Sequence, residues 1–302
     1  MLIYDCTIIG GGPAGLNAAL VLGRAKRNTL LVDEGKPRNA VTQESHGFLT
    51  RDGITPQEFR AIAYEEVLGY PSVMHKQDRV DTIQRDEKGF LLQTRKGETV
   101  ITKKIILATG LKETLPPIPN IHQYYGKSLF VCPFCDGWEL RDKQLVILAK
   151  GDRAFHLAKM VYNWSQDLII CTNGDSDLST EQLYLLQKKG IQVLENIITA
   201  IEGDDRKMNA ITFHNRESLS RQGGFVDVEW THASQLQDIL GCETDEKGAV
   251  KTNITGQTNI PGVFAAGDTS IIAPSQLIIA ASEGSKAAIG VMKELTDEEF
   301  LD

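Results

Sequence analysis

The chain of 302 residues is poor in several features, and each shortage closes off a class of function. No apolar run approaches the roughly 20 residues that a membrane-spanning helix needs, so no membrane association is expected. The opening Met1-Leu2-Ile3-Tyr4-Asp5 has no positively charged leader and runs straight into a strand-like segment, which points to the cytosol. Lys and Arg number 32 against 40 Asp and Glu, a formal net charge of -8, and the cations form no block. Phosphate backbones need clustered cations, so nucleic acid is not an expected partner, whereas a basic patch on another protein would suit this chain. Cysteine is scarce as well: Cys6, Cys132, Cys135, Cys171 and Cys242 include one close pair and no second. The six histidines show no HxxxH spacing. A structural zinc site takes about four ligands, so no metal site is expected. In a reducing compartment these thiols form no disulfide framework, and Cys6 and Cys171, set in apolar strand patterns, read as core residues.

What is present is ordinary bulk and specific punctuation. Hydrophobic residues make up 41% and charged residues 24%, which suits a soluble globular protein, and the length favours two domains. Tyr4 to Ile9 reads as a buried strand. Gly10-Gly11-Gly12-Pro13-Ala14-Gly15 follows, then a helical stretch from Leu16 to Arg27 and a second strand, Thr29 to Val32, ending at Asp33. Gly10 allows the tight turn, Gly12 lets the backbone approach a pyrophosphate, and Gly15 lets helix and strand pack closely. The helix N-terminus offers free N–H groups to the phosphates, and Asp33 stands where a ribose hydroxyl is bound. This strand–turn–helix–strand–acid order predicts a dinucleotide site without separating FAD from NAD.

Two later segments bear on that choice. Lys104 to Ala108 is an apolar strand ending in Ala108-Thr109-Gly110, and Val263-Phe264-Ala265-Ala266 closes on Gly267-Asp268. With the N-terminal motif they resemble the FAD domain of flavoproteins built from two dinucleotide-binding domains. The resemblance implies that Asp268 holds the ribityl and phosphate region of FAD. It also implies a discontinuous FAD domain, residues 1–115 and 243–302, with residues 116–242 forming an inserted NAD(P)H-binding-like domain. Pro116, Pro117 and Pro119 mark one crossing and Leu240-Gly241 the other.

The inserted segment opens with Cys132-Pro133-Phe134-Cys135, followed by Asp136-Gly137-Trp138-Glu139. Two intervening residues at a helix start can bring the sulfurs within disulfide reach, and a helix N-terminus favours the thiolate. Cys132 to Gly137, with Gly10–Gly15 and Gly267-Asp268, resembles the low-molecular-weight thioredoxin reductases along essentially the whole chain. Pro37-Arg38-Asn39-Ala40 and Ser45-His46-Gly47-Phe48-Leu49-Thr50-Arg51-Asp52-Gly53 are more similar to a side branch that includes gliotoxin-type dithiol oxidases. The resemblance implies two doubly wound, Rossmann-like α/β domains, a homodimer, and bound FAD. Its FAD contacts would fall at Gly10, Gly12, Pro13, Ala14, Gly15, Asp33, Asn39, Gly110, Gly267, Asp268 and Gln276. Cys135 would face the flavin, Cys132 would exchange with substrate, and Asp136 would handle the proton. A simple helix-start role for Asp136, and an ordinary loop role for His46, compete with functional ones.

The second nucleotide motif departs from the family. In Val146-Ile147-Leu148-Ala149-Lys150-Gly151-Asp152-Arg153-Ala154, Ala149 replaces the first glycine, while a helix from about Arg153 to Trp164 is retained. The next strand, Asp167 to Thr172, ends in Asn173-Gly174-Asp175-Ser176-Asp177, and no Lys or Arg occurs between Lys159 and Lys188. A 2′-phosphate needs cations there, so NADPH is disfavoured and NADH less so. Ser275 also stands where thioredoxin reductases commonly carry arginine. The leading expectation is an FAD-dependent disulfide reductase acting on a thioredoxin-like protein or small disulfide, with a ferredoxin-type or other donor. A small-molecule dithiol oxidase, a divergent NAD(P)H-dependent thioredoxin reductase and a non-catalytic flavin redox sensor are the alternatives.

Overall fold

The computed structural model describes residues 2–301. Along the chain come β1 (Ile3–Ile9), α1 (Pro13–Arg24), β2 (Thr29–Asp33) and α2 (Pro56–Leu68), then β3 (Val73–Gln77), β4 (Val80–Asp86), β5 (Gly89–Thr94), β6 (Thr99–Leu107) and β7 (Leu111–Thr114). Next are α3 (Ile121–Tyr124), β8 (Leu129–Phe130), α4 (Pro133–Asp136), β9 (Leu145–Leu148), α5 (Gly151–Val161), β10 (Leu168–Cys171), α6 (Thr180–Lys188) and β11 (Gln192–Leu194). The chain continues through β12 (Ile198–Asp204), β13 (Lys207–Phe213), β14 (Arg216–Ser220), β15 (Gly223–Val226), β16 (Glu229–His232), α7 (Leu236–Leu240), β17 (Val263–Ala265) and α8 (Leu277–Leu301). Two compact units result, one of Met1–Ala40, Gly47–Lys112 and Thr231–Asp302, the other of Val41–His46 and Glu113–Trp230. Among the described residues no helix is long and apolar enough to cross a membrane.

The first unit is built on a sheet of order β3-β2-β1-β6-β5-β4, with β17 also pairing with β6. β1, β2, β3, β6 and β17 pair in parallel, with Ile8 opposite both Leu31 and Ile106, while β4, β5 and β6 form an antiparallel meander. β2 is buried over its first four residues, so it reads as an apolar run, whereas β5 alternates buried and half-buried positions. Helix α1 begins earlier than the periodicity suggests, because Pro13 sits in its first turn, where a fixed φ and a missing N–H cost nothing. It also ends earlier, at Arg24, where Lys26 takes a left-handed φ of 58° and the N–H groups of Ala25 and Lys26 close back on Val21 and Gly23. α1 packs on α8 through small residues, among them Ala18, Ala287 and Ala288, all fully buried.

The second unit carries an all-parallel sheet of order β11-β10-β9-β15-β8 and an antiparallel sheet of β12, β13 and β14. β9 and β10 are buried throughout, and Leu145, Ile147 and Ile170 pack with Leu157, Ala158 and Val161 of α5. Each of these leucine, isoleucine and valine side chains contributes about 1.5–3 kcal/mol on burial. Cys6 and Cys171 are core residues, and burial pushes their thiols up, Cys171 to about 12. Both units therefore rest on parallel sheets, the α/β class predicted from sequence.

Candidate active site

The chain leaves β1 at Gly10 with φ +110°, and a Cβ there would lie 2.1 Å from the Ala108 carbonyl oxygen. Only glycine meets both demands. Gly15 lies against Gly10, where a Cβ would fall 1.8 Å from its carbonyl. Gly12 is different: nothing among the described residues lies within 4 Å of the place its Cβ would take, and the first turn of α1 has no acid. The backbone at Gly12 thus leaves room beside the N-terminus of α1, with the positive end of the helix behind it, which suits a pyrophosphate. Pro13 and Ala14 form that first turn, and Gly267, at φ +65°, approaches Ala14 so closely that a Cβ would sit 2.8 Å from its methyl. Gly110, at φ +71°, donates its N–H to Thr269 Oγ1 at 2.8 Å, which joins the end of β6 to the Gly267-Asp268-Thr269 turn.

Asp33, at the end of β2, is held on three sides. Its Oδ1 accepts from the Gly11 N–H at 2.9 Å, and its Oδ2 accepts from Arg60 Nη2 at 2.7 Å and the Tyr64 hydroxyl at 2.9 Å. Arg60 also donates Nη1 to the Gly11 carbonyl at 2.7 Å. Burial pushes the carboxyl up, but Arg60, the Gly11 N–H and Tyr64 outweigh it and hold Asp33 below its ordinary range. Gly11, Arg60 and Tyr64 were not singled out from sequence. The available signal was weak: two polar residues four apart on one face of α2. Arg38 was also passed over, although it lies in a short turn, Arg38–Val41, beside Asn39. It donates Nη2 to Asp268 Oδ2 at 2.9 Å and to Ser275 Oγ at 2.7 Å, while Ser275 donates to Asp268 Oδ1 at 2.9 Å. An arginine thus stands beside Ser275, supplied from the other end of the chain. Gln276 follows, its amide nitrogen 3.8 Å from the place a Cβ on Gly47 would take. An open, amide-rich turn, a cation and a row of polar groups fit a flavin dinucleotide.

In the second unit Cys132 is the N-cap of α4 and Cys135 lies within it, joined as a disulfide with Cα atoms 5.3 Å apart. α4 is a single turn of four residues, too short for the helix dipole anticipated from sequence to act strongly on the sulfurs. Beneath it, Gly137 admits the Trp164 ring, which a Cβ would meet at 2.7 Å, and Trp164 packs edge-on to Phe134. Phe134 and Trp138 are each 65% exposed, and Arg141 lies 4.1 Å over the Trp138 ring. Asp136 follows Cys135 directly. Its burial, and next the Glu139 carboxylate, push its carboxyl up to about 7, so near neutral pH it holds a transferable proton.

At the start of α5 the backbone meets the loop that follows β10. The Gly151 N–H, first in α5, donates to the Ser176 carbonyl at 2.7 Å. Ser176 is itself pinned through its N–H to Glu195 Oε1 at 2.9 Å, and Asn173 Oδ1 accepts from the Ile198 N–H at 2.8 Å. Asp152 places a carboxylate in the first turn of α5, where its Oδ1 accepts from Gln182 Nε2 at 2.7 Å. Lys150 brings its ammonium to the same loop, 3.4 Å from the place a Cβ on Gly174 would take, near Asp175 and Asp177 in sequence. Among the described residues no group of three or more His, Cys, Asp or Glu is arranged to hold a metal ion.

The family model of the pyridine nucleotide-disulphide oxidoreductases matches residues 4–284. A probable thioredoxin reductase of Arthroderma benhamiae is 31% identical, the alignment covering 98% of this chain and 81% of that protein. The thioredoxin reductase of Helicobacter pylori is 28% identical, covering 97% of this chain and 99% of its own. Among solved structures, Bacillus anthracis TrxB, assigned there as a thioredoxin reductase, superimposes with a TM-score of 0.94 at 43% identity, covering 98% of this chain and 99% of that one.

Proposed function

This chain belongs to the pyridine nucleotide-disulphide oxidoreductase family as a thioredoxin reductase-like, FAD-dependent oxidoreductase acting on disulfides, and from that premise we propose that its electrons enter or leave by a route other than NADPH. Bound FAD supplies the two-electron carrier. Gly10, Gly12, Pro13, Ala14 and Gly15 present the pyrophosphate amides. Asp33 orders that turn, and Asn39, Gly110, Gly267, Asp268 and Gln276 line the remainder. Cys132 and Cys135 exchange with the partner's sulfurs, and Asp136 gives or takes the proton.

One observation carries the donor assignment: the carbonyl of Ser176 occupies the leading amide of α5, where a pyridine nucleotide would place its pyrophosphate. That carbonyl and the Asp152 carboxylate present negative charge where an anion would have to bind. The exposed rings of Phe134 and Trp138 beside the disulfide favour a partner with an apolar rim around its sulfurs, either a thioredoxin-type protein or a small disulfide or dithiol. A ferredoxin-type protein is the donor class this reading favours, and the resemblance to low-molecular-weight thioredoxin reductases supports a homodimer. The test is anaerobic titration of the flavin-loaded protein. NADPH and NADH are expected to leave flavin absorbance unchanged on the timescale of seconds, while dithionite and a dithiol bleach it. Fast, saturable bleaching by NADPH would make this an NADPH-dependent reductase and overturn the donor assignment.

A further inference from the structure

Glu139 lies three residues beyond Asp136, in the turn that follows α4, and its carboxylate acts on the Asp136 carboxyl. Its Oε2 is buried and has no hydrogen-bond partner among the described residues. A buried, unpartnered carboxylate oxygen is costly, and sharing a proton with a neighbour relieves that cost. Its Oε1 lies 3.7 Å from His46 Nε2, and His46 lies 3.6 Å from Glu44 Oε2, whose side chain is 57% exposed. The other charges at hand do not neutralise the pair. Lys143 donates Nζ to the Glu139 backbone carbonyl at 2.7 Å, and Arg141 is turned to the Trp138 carbonyl and ring.

We propose that Glu139 is a positioning residue for proton transfer at Asp136, and that His46 relays the proton between this carboxyl pair and solvent at Glu44. The proposal rests on the reading of Cys132 and Cys135 as the exchange centre. When a dithiol substrate reduces the pair, the substrate closes its own S–S bond and the Cys132–Cys135 bond breaks. Asp136 then protonates one of the two sulfurs. When the Cys132–Cys135 bond re-forms, two electrons and one proton would go to a bound FAD, and the second proton must leave. Asp136 takes that proton and returns it through Glu139 and His46 to water.

The experiment follows anaerobic bleaching of the flavin-loaded protein by dithiothreitol, from pH 5 to 9, at low and high buffer concentration. Glu139→Gln removes the neighbouring charge and is expected to move the Asp136 limb of the rate profile down by about one pH unit. His46→Gln is expected to slow bleaching about tenfold in dilute buffer, with recovery on adding imidazole. A Glu139→Gln profile with the limb in place, or a His46→Gln rate that imidazole does not restore, overturns the relay. Flavin content and melting temperature of each variant show that it is folded. Cys135→Ser separates the two levels: bleaching that persists without Cys135 sinks the exchange-centre reading itself, whatever the relay variants do.

Discussion

At the scale of single residues, the tightest constraint in the first unit is Asp33. Its side chain is 12% exposed and that of its partner Arg60 is 17%, so their ion pair is shielded from most solvent screening. Because the folded-state pKa of Asp33 lies below its ordinary value, the stability it contributes is complete above the ordinary carboxylate range near about 4. That contribution is lost as pH falls through the depressed folded-state value. Asp33→Asn keeps the shape but loses the charge that Arg60 and the Gly11 amide address, a loss of about 1–3 kcal/mol. The expected outcome is a lower melting temperature at pH 7, a flatter decline below pH 4 than in the native protein, and weaker retention of FAD on dilution. Equal melting curves for the two proteins from pH 3 to 7 would show that the ion pair contributes nothing.

At the scale of elements, the first unit depends on how closely α1, α8 and the glycine turn approach one another. A Cβ on Gly284 of α8 would fall 1.9 Å from the Ala14 carbonyl oxygen, a backbone atom that cannot move aside without shifting α1. Gly284→Ala is therefore expected to destabilise by about 1–3 kcal/mol despite alanine's better helix propensity, and to weaken FAD retention if the α1 amides hold the phosphates as proposed. A melting temperature equal to or above the native value would contradict this packing. Sequence showed the elements well and their long-range fastening poorly. The β1–α1–β2 order was legible because glycine, helical periodicity and the closing Asp33 lie within about thirty residues and agree with one another. Gly110 and Gly267-Asp268 were joined in one domain through family resemblance alone, since no local pattern reports a hydrogen bond across 159 positions. Arg60 on Asp33 and Arg38 on Asp268 were missed for the same reason: an exposed-looking arginine on a helix or turn carries no mark of its partner. In the second seat, the replacement of glycine by Ala149 and the acids of the following loop were visible. That the loop folds back so that Ser176 caps Gly151 was not, because a backbone carbonyl leaves no trace in side-chain identity.

At the scale of the whole molecule, the excess of acidic residues acts on every partner that approaches the disulfide. A formal charge of -8 attracts cationic substrates and repels anionic ones, and salt weakens both effects within a Debye length of about 8 Å at physiological ionic strength. Two small disulfides of opposite charge therefore report the field without any knowledge of the physiological partner. Oxidation of the dithiol form by cystamine, a dication, is expected to slow as ionic strength rises from 10 mM to 500 mM. Oxidation by glutathione disulfide, a net anion, is expected to speed up over the same range, so that the ratio of the two rates falls by roughly tenfold. Because each substrate is compared with itself, differences in size and intrinsic reactivity cancel. Flat slopes for both substrates would mean that the local cations Arg141 and Lys143 offset the overall charge at Cys132 and Cys135. A partner protein would then be selected by its fit to Phe134 and Trp138 more than by its charge. Opposite slopes would instead favour partners whose apolar rim around the reacting sulfurs is ringed by basic residues.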